Sequence, residues 1–264
     1  MIIVFDIDGV IRNVGGSYRR AIMDTVAHFT QNQYRPSLDD IDQLKGEGIW
    51  NNDWEASQEL IYRYFIAQGQ SREDIALNYE EIVEFFQRRY RGTDPNHWNG
   101  YITQEPLLVD KVYFDDLTAH DIPWGFFSGA TRGSAEYVLK HRLRLVDPVL
   151  VAMEDAPGKP DPTGLFLARQ QLTQRHGLEN NVPVLYVGDT VGDLYTITQA
   201  KAEDPQTPWI GIGILPPHVQ TNPEQEEAYS AKLRAAGAQA VFNNVGELTP
   251  EIIRQRVQNS SPTP

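Results

Sequence analysis

Four short stretches bring together residue types that can do chemistry. The first is Asp6-Ile7-Asp8-Gly9-Val10, two carboxylates two residues apart with a glycine that lets the chain turn sharply and expose them. The second is Ser128-Gly129-Ala130-Thr131-Arg132, a hydroxyl followed by backbone N–H groups that open a helix, which is a phosphate-binding arrangement. The third is Gly158-Lys159-Pro160-Asp161-Pro162, where two prolines stiffen the backbone around one lysine and start the next helix. The fourth is Gly188-Asp189-Thr190-Val191-Gly192-Asp193, whose carboxylates at i, i+4 offer oxygen ligands to a hard cation such as Mg²⁺. Taken singly, each stretch also fits a plain structural part: an Asp-Gly turn, a helix cap, a rigid loop with a solvated lysine, a cap from Asp189 or Thr190.

An uninterrupted apolar run precedes each stretch: Ile2–Phe5, Trp124–Phe127, 149–153 and 183–187. Runs this short, without two-residue alternation, suit strands buried on both faces of a parallel sheet. Trp209–Ile214 and the weaker Ala240–Phe242 complete the set, and helical patterns at 134–143, 162–176, 194–202 and 224–236 lie between them. Strands alternating with helices predict an α/β fold with a doubly wound, Rossmann-like parallel sheet. All four stretches then fall at the carboxyl ends of strands, where such sheets place their ligand crevice. One interval breaks the alternation. Residues 15–100 show no strand but amphipathic helices at 17–31, 54–67 and 75–90, with Ser37 and Ser71 as expected N-caps. The expected division is a core of 1–14 and 101–264, whose tail 259–264 is disordered, and an inserted helical domain of 15–100.

Composition narrows the function. The 264 residues carry 23 Lys+Arg against 36 Asp+Glu, a net charge of −13, which argues against generic binding to nucleic acid or anionic membrane. The absence of cysteine excludes disulfides, zinc–thiolate sites, iron–sulfur clusters and thiol nucleophiles. The six histidines show no ligand spacing. With neither a signal-peptide pattern nor a run of about 20 apolar residues, the expectation is a cytoplasmic enzyme. Its oligomeric state is not readable from the sequence.

In their order and spacing the four stretches resemble the motifs of the haloacid dehalogenase-like (HAD) superfamily. Asp6 and Asp8 match the first motif, Ser128 the second, Lys159 the third, and Asp189 with Asp193 the fourth. The helical insertion resembles the α-helical cap of the subfamily containing phosphoglycolate phosphatase-like enzymes and β-phosphoglucomutase. The resemblance implies a Mg²⁺-dependent phosphomonoester hydrolase acting on a small phosphorylated metabolite. In that reading Asp6 attacks phosphorus and forms an aspartyl-phosphate, and Asp8 serves as acid and then base. Ser128, Gly129 and Lys159 bind the phosphoryl oxygens. Mg²⁺ is held by Asp6, the Asp8 backbone carbonyl and Asp189, with Asp193 behind them. A sugar phosphomutase shares these motifs, and a silent binding or regulatory module is the alternative from another class; the complete motif set argues against the latter. Dehalogenases of the superfamily lack the aspartate matched by Asp8. Phosphonate-cleaving relatives use a cap lysine, for which Lys45 in Lys45-Gly46-Glu47-Gly48 is a poor match.

An acidic chain that binds an anion needs local positive charge, because screening acts over only about 8 Å. Arg12, Arg19, Arg20, Lys45, Arg132 and Lys159 are expected near the site, Arg132 as a phosphate or substrate contact. The cap is the expected reader of the leaving group, with Arg19, Asn51, Asn52 and Trp54 as candidates. An exposed Arg19, an Asn51 or Asn52 helix cap and tryptophans packed in the cap interior are the structural alternatives.

Overall fold

The computed structural model describes residues 1–50, 52–179 and 181–260. Its strands are β1 (Ile2–Phe5), β2 (Trp124–Phe127), β3 (Val149–Val151), β4 (Val184–Gly188), β5 (Trp209–Ile214) and β6 (Ala240–Phe242). They form one parallel sheet in the order β3-β2-β1-β4-β5-β6. Every residue of β1, β3, β4 and β5 is buried, which is why these runs are apolar throughout. The helices are α1 (Tyr18–Phe29), α2 (Leu38–Lys45), α3 (Asp53–Ala67), α4 (Tyr79–Tyr90), α5 (Lys111–Ala119), α6 (Arg132–Glu136), α7 (Thr163–His176), α8 (Val191–Glu203), α9 (Pro223–Ala235) and α10 (Pro250–Ser260); α6 runs on as a π-helical turn at Tyr137–Arg142.

Side chains alternate across the sheet and feed two apolar layers. Ile3, Phe5, Phe126, Leu185 and Val187 pack with Phe114 of α5 on one face. Ile2, Val4, Phe127, Val184 and Tyr186 pack with Leu165, Ala168 and Leu172 of α7 on the other. The Phe5 and Phe114 rings meet edge to face at 5.9 Å. The fold is therefore the doubly wound parallel sheet with a helical insertion between β1 and β2.

Backbone contacts divide the chain into one unit of Met1–Asn13 with Leu107–Pro264 and a second of Val14–Pro106. The second boundary lies beyond the expected 100/101, because the short helix Tyr101–Gln104 belongs to the helical unit. There Tyr101 Oη donates to Asp24 at 2.6 Å, and its ring lies under the Arg20 guanidinium at 4.3 Å. Within that unit α1 packs on α3 and α4. Ser37 caps α2 reciprocally with Asp40, whereas Ser71 makes no side-chain cap bond. The expected helix at 75–90 starts only at Tyr79, after Asn78 accepts the Glu80 and Glu81 amides. Asn259 and Ser260, expected in a disordered tail, close α10; 261–264 lie outside the described residues.

Gly164 marks a close contact under the sheet. A Cβ there would stand 2.2 Å from Cε2 of Phe127. Gly164→Ala is expected to lower unfolding free energy by about 1–3 kcal/mol in chemical denaturation, since the buried ring must shift; an unchanged midpoint would contradict this packing.

Candidate active site

The order of the strands places β1 and β4 side by side where the winding of the sheet reverses direction. The Asp6 amide extends the ladder by donating to the Val187 carbonyl at 2.8 Å, and the Ser128 amide does the same to Val151 at 3.0 Å. Asp6, Ser128 and Asp189 thus leave the carboxyl ends of three adjacent strands, and Lys159 arrives from the loop after β3. Gly9 turns the chain with φ +76°, and a Cβ there would lie 1.9 Å from Oδ2 of Asp189. Only glycine lets the loop after β1 close on the loop after β4.

One oxygen each of Asp6, Asp189 and Asp193 lies within 4.8 Å of the others, and all three residues are buried. Lys159 Nζ donates to Asp6 Oδ1 at 2.8 Å and to Asp193 Oδ1 at 2.6 Å. The ammonium also lies over the Phe127 ring at 5.2 Å and the Tyr186 ring at 5.4 Å. Asp193 accepts on both oxygens: Lys159 and Tyr186 Oη on Oδ1, and the Thr190 amide and hydroxyl on Oδ2, the hydroxyl at 2.6 Å. Four donors fill the lone-pair positions of one carboxylate.

One ammonium serves two buried carboxylates, so their protonation separates. Burial pushes the Asp6 carboxyl from its ordinary 3.8 up to about 7; the Lys159 charge opposes this, and Asp193 and Asp8 add to it. Burial would also raise Asp193, but Lys159 and the Thr190 bonds outweigh it and hold it below the usual range. Burial disfavours the Lys159 ammonium, yet Asp193 and Asp6 more than compensate and raise it. With all three carboxylates ionised, the cluster carries two more negative than positive charges. This oxygen-only donor set fits a hard divalent cation.

The other expected site residues divide. The Asp8 side chain is outside the carboxylate cluster: Oδ1 accepts from Arg12 Nε at 2.6 Å and lies 2.5 Å from Nη2 in the same ion pair, with Arg12 buried. Ser128 Oγ accepts the Ala130 amide at 3.2 Å, and space beside Gly129 is open, with no atom within 4 Å of where a Cβ would stand. The Arg132 guanidinium is ion-paired with Asp155, and its amide donates to Glu154 at 2.8 Å. In the helical unit, buried Arg19 is bonded to Asp42, and Lys45 Nζ to Asp53 at 2.9 Å. Asn52 caps α3 by accepting the Trp54 and Glu55 amides, and Trp54 is half-buried. Asn51 lies outside the described residues. Arg12, Arg19, Lys45 and Arg132 each hold a carboxylate of their own unit, which for the buried Arg12, Arg19 and Lys45 lowers the cost of burial. Sequence reading missed Tyr186, although a hydroxyl inside a strand buried on both faces must find a partner.

Residues 1–201 match the haloacid dehalogenase-like hydrolase family. The chain belongs to that family. Among curated proteins, an imidazoleglycerol-phosphate dehydratase of Phytophthora nicotianae is 30% identical over 268 residues, which cover 99% of this chain and 54% of that protein. The chain thus spans about half the length of that relative. Among solved structures, a phosphonoacetaldehyde hydrolase-like protein from Oleispira antarctica superposes with a TM-score of 0.68 at 17% identity, covering 98% of this chain and 93% of that one. A phosphatase from Thermococcus thioreducens superposes at 0.60 with 19% identity, covering 87% and 99%. At these identities the two structures establish the shared fold. For the HAD hydrolase, no helix among the described residues is long and apolar enough to cross a membrane.

A carboxylate with a raised folded-state value adds most stability below its ordinary value, and that stability is lost as pH rises through about 7. Metal-free Asp6→Asn is therefore expected to melt above the unsubstituted HAD hydrolase near about pH 8, with the difference closing toward about pH 4. Thermal melts across that range test the charge balance, and equal melting temperatures at the alkaline end would contradict it.

Proposed function

We propose that this HAD hydrolase is a Mg²⁺-dependent phosphatase that cleaves the monoester of a small phosphorylated metabolite through an aspartyl-phosphate on Asp6. The observation that carries this reading is Lys159 Nζ, held 2.8 Å from Asp6 and 2.6 Å from Asp193 within a buried three-carboxylate cluster. Asp6 and Asp189 would hold the cation, together with the Asp8 backbone carbonyl. Asp193, with four donors already on its oxygens, orients Lys159. Bound Mg²⁺ supplies the positive charge that lets an anionic carboxylate approach an anionic phosphoryl group.

An Asp6 oxygen attacks phosphorus as the bond to the leaving oxygen breaks. Asp8 gives that oxygen a proton, then takes one from the water that attacks the phosphorus of the aspartyl-phosphate, which returns Asp6 and inorganic phosphate. Ser128, whose Oγ accepts from Ala130 and keeps its proton to donate, faces the transferring group with Gly129 and Lys159. Arg12 holds one Asp8 oxygen in place and leaves the other for the proton transfer. The helical unit selects the leaving group, and the intracellular metabolite pool is the expected source of substrate.

The name of the Oleispira neighbour raises phosphonate cleavage, which calls for an amine with an available lone pair. The Nζ of Lys45, the lysine of the helical unit, is instead held by Asp53 at 2.9 Å and stands 5.3 Å from the centre of the Tyr18 ring. The ester-cleaving reading is the better fit.

Phosphate release from a panel of sugar phosphates, phosphoglycolate, nucleotides, imidazoleglycerol phosphate, a phosphonate and an aryl phosphate, with and without Mg²⁺, tests the proposal. Asp6→Asn is expected to abolish release, and Asp8→Asn to slow it by about 10²–10⁴-fold on substrates with poor leaving groups. Chelation should stop turnover reversibly. Release that persists in Asp6→Asn, or no release from any compound by a folded, Mg²⁺-binding protein, would overturn it.

A further inference from the structure

Tyr186 stands at this site and no motif assigns it. It stands in β4 in register with Val4 of β1, three residues before Asp189, and is 1% exposed. Its hydroxyl lies 3.0 Å from Asp193 Oδ1 and 3.2 Å from the Phe127 carbonyl. A phenol has one proton, so it donates to one acceptor at a time. The carboxylate is the stronger acceptor and the nearer one. Burial, with Asp193 and Asp6 close by, keeps that proton on the phenol far into alkaline conditions.

Asp193 Oδ1 is thus shared between an ammonium at 2.6 Å and a phenol at 3.0 Å. A shared acceptor holds each donor less tightly than an exclusive one. The Lys159 ammonium, divided between Asp193 and Asp6, is pulled toward Asp193 when the phenol is removed. The ring acts on the same cation from below: Tyr186 and Phe127 rings, 6.0 Å apart and tilted by 31°, form the surface on which Lys159 Nζ rests. Gly164 admits the Phe127 ring to that place.

We infer that Tyr186 is a positioning residue, whose hydroxyl sets the division of the Lys159 ammonium between Asp193 and the Asp6 nucleophile while its ring supports the same ammonium. The inference rests on the phosphatase reading for its effect on rate, but not for its effect on Lys159. Without the hydroxyl, Asp6 loses part of its hydrogen bond and Lys159 is displaced from where a phosphoryl oxygen must meet it.

The test is Tyr186→Phe, which keeps the ring, beside Tyr113→Phe, which deletes a hydroxyl bonded to the Leu248 carbonyl at 3.2 Å on another part of the same unit. Kinetics are measured on the best panel substrate, with thermal melts and NMR of the Lys159 ¹⁵Nζ resonance in metal-free protein. Tyr186→Phe is expected to lower kcat by about 10- to 100-fold. KM should stay within about twofold, and the Lys159 resonance should shift. Tyr113→Phe is expected to lower the melting temperature by a similar amount and leave both kcat and that resonance unchanged. A Lys159 resonance unmoved in Tyr186→Phe, or a kcat no lower than that of Tyr113→Phe, would overturn the inference. If unsubstituted protein releases no phosphate from any compound, the phosphatase reading falls and the resonance alone decides the role of Tyr186.

Discussion

The site turns on one buried ammonium that must satisfy two carboxylates. Lys159 is nearly sealed from water, where an isolated charge is prohibitively costly, and it is retained because Asp6 and Asp193 stand on either side of it. The pairing is incomplete, since one positive charge cannot neutralise Asp6, Asp189 and Asp193 together. Burial raises the Asp6 carboxyl to about 7 against the opposing Lys159 charge, and Asp193 and Asp8 add to the rise. Burial acts on Asp193 too, but there Lys159 and the Thr190 bonds outweigh it. A buried cluster of three carboxylates with one ammonium is prepared for a divalent cation.

The sheet exists to hold that arrangement. Its order puts the ends of β1 and β4 next to each other and β2 on the far side of β1, so residues distant in sequence converge without long loops. Close packing then fixes the details. Gly9 lets one loop touch the Asp189 carboxylate, Gly188 admits the Asp193 side chain, whose Cβ would be 2.2 Å from a Cβ there, and Gly164 admits the Phe127 ring. Each glycine is set by what stands beside it rather than by flexibility.

Much of this was legible in the sequence for a physical reason. Strands buried on both faces require unbroken apolar runs, so β1, β2, β5 and β6 have the limits the runs suggest. The run at 149–153 is longer than β3 because the Met153 amide leaves the ladder to bond the Ala130 carbonyl. Of the helices α2, α5 and α10, only α2 gave a signal, its Ser37 cap. The four motifs announced themselves through residue type and place. The pairing of the cations did not, since Arg19 meets Asp42 and Arg132 meets Asp155 only once the chain has folded. Tyr186 was hidden differently: it reads as one more apolar member of its strand, and its hydroxyl gains meaning only beside Asp193.

The central claim is that Asp6 is the nucleophile. Its most direct test mixes the Mg²⁺-loaded protein with excess aryl phosphate, quenches in acid within one turnover, and locates phosphoryl groups by fragment-ion mass spectrometry. The account predicts one phosphoryl group on Asp6. Its appearance on Ser128 or another side chain, or turnover with no phosphorylated enzyme at any quench time, would contradict the account.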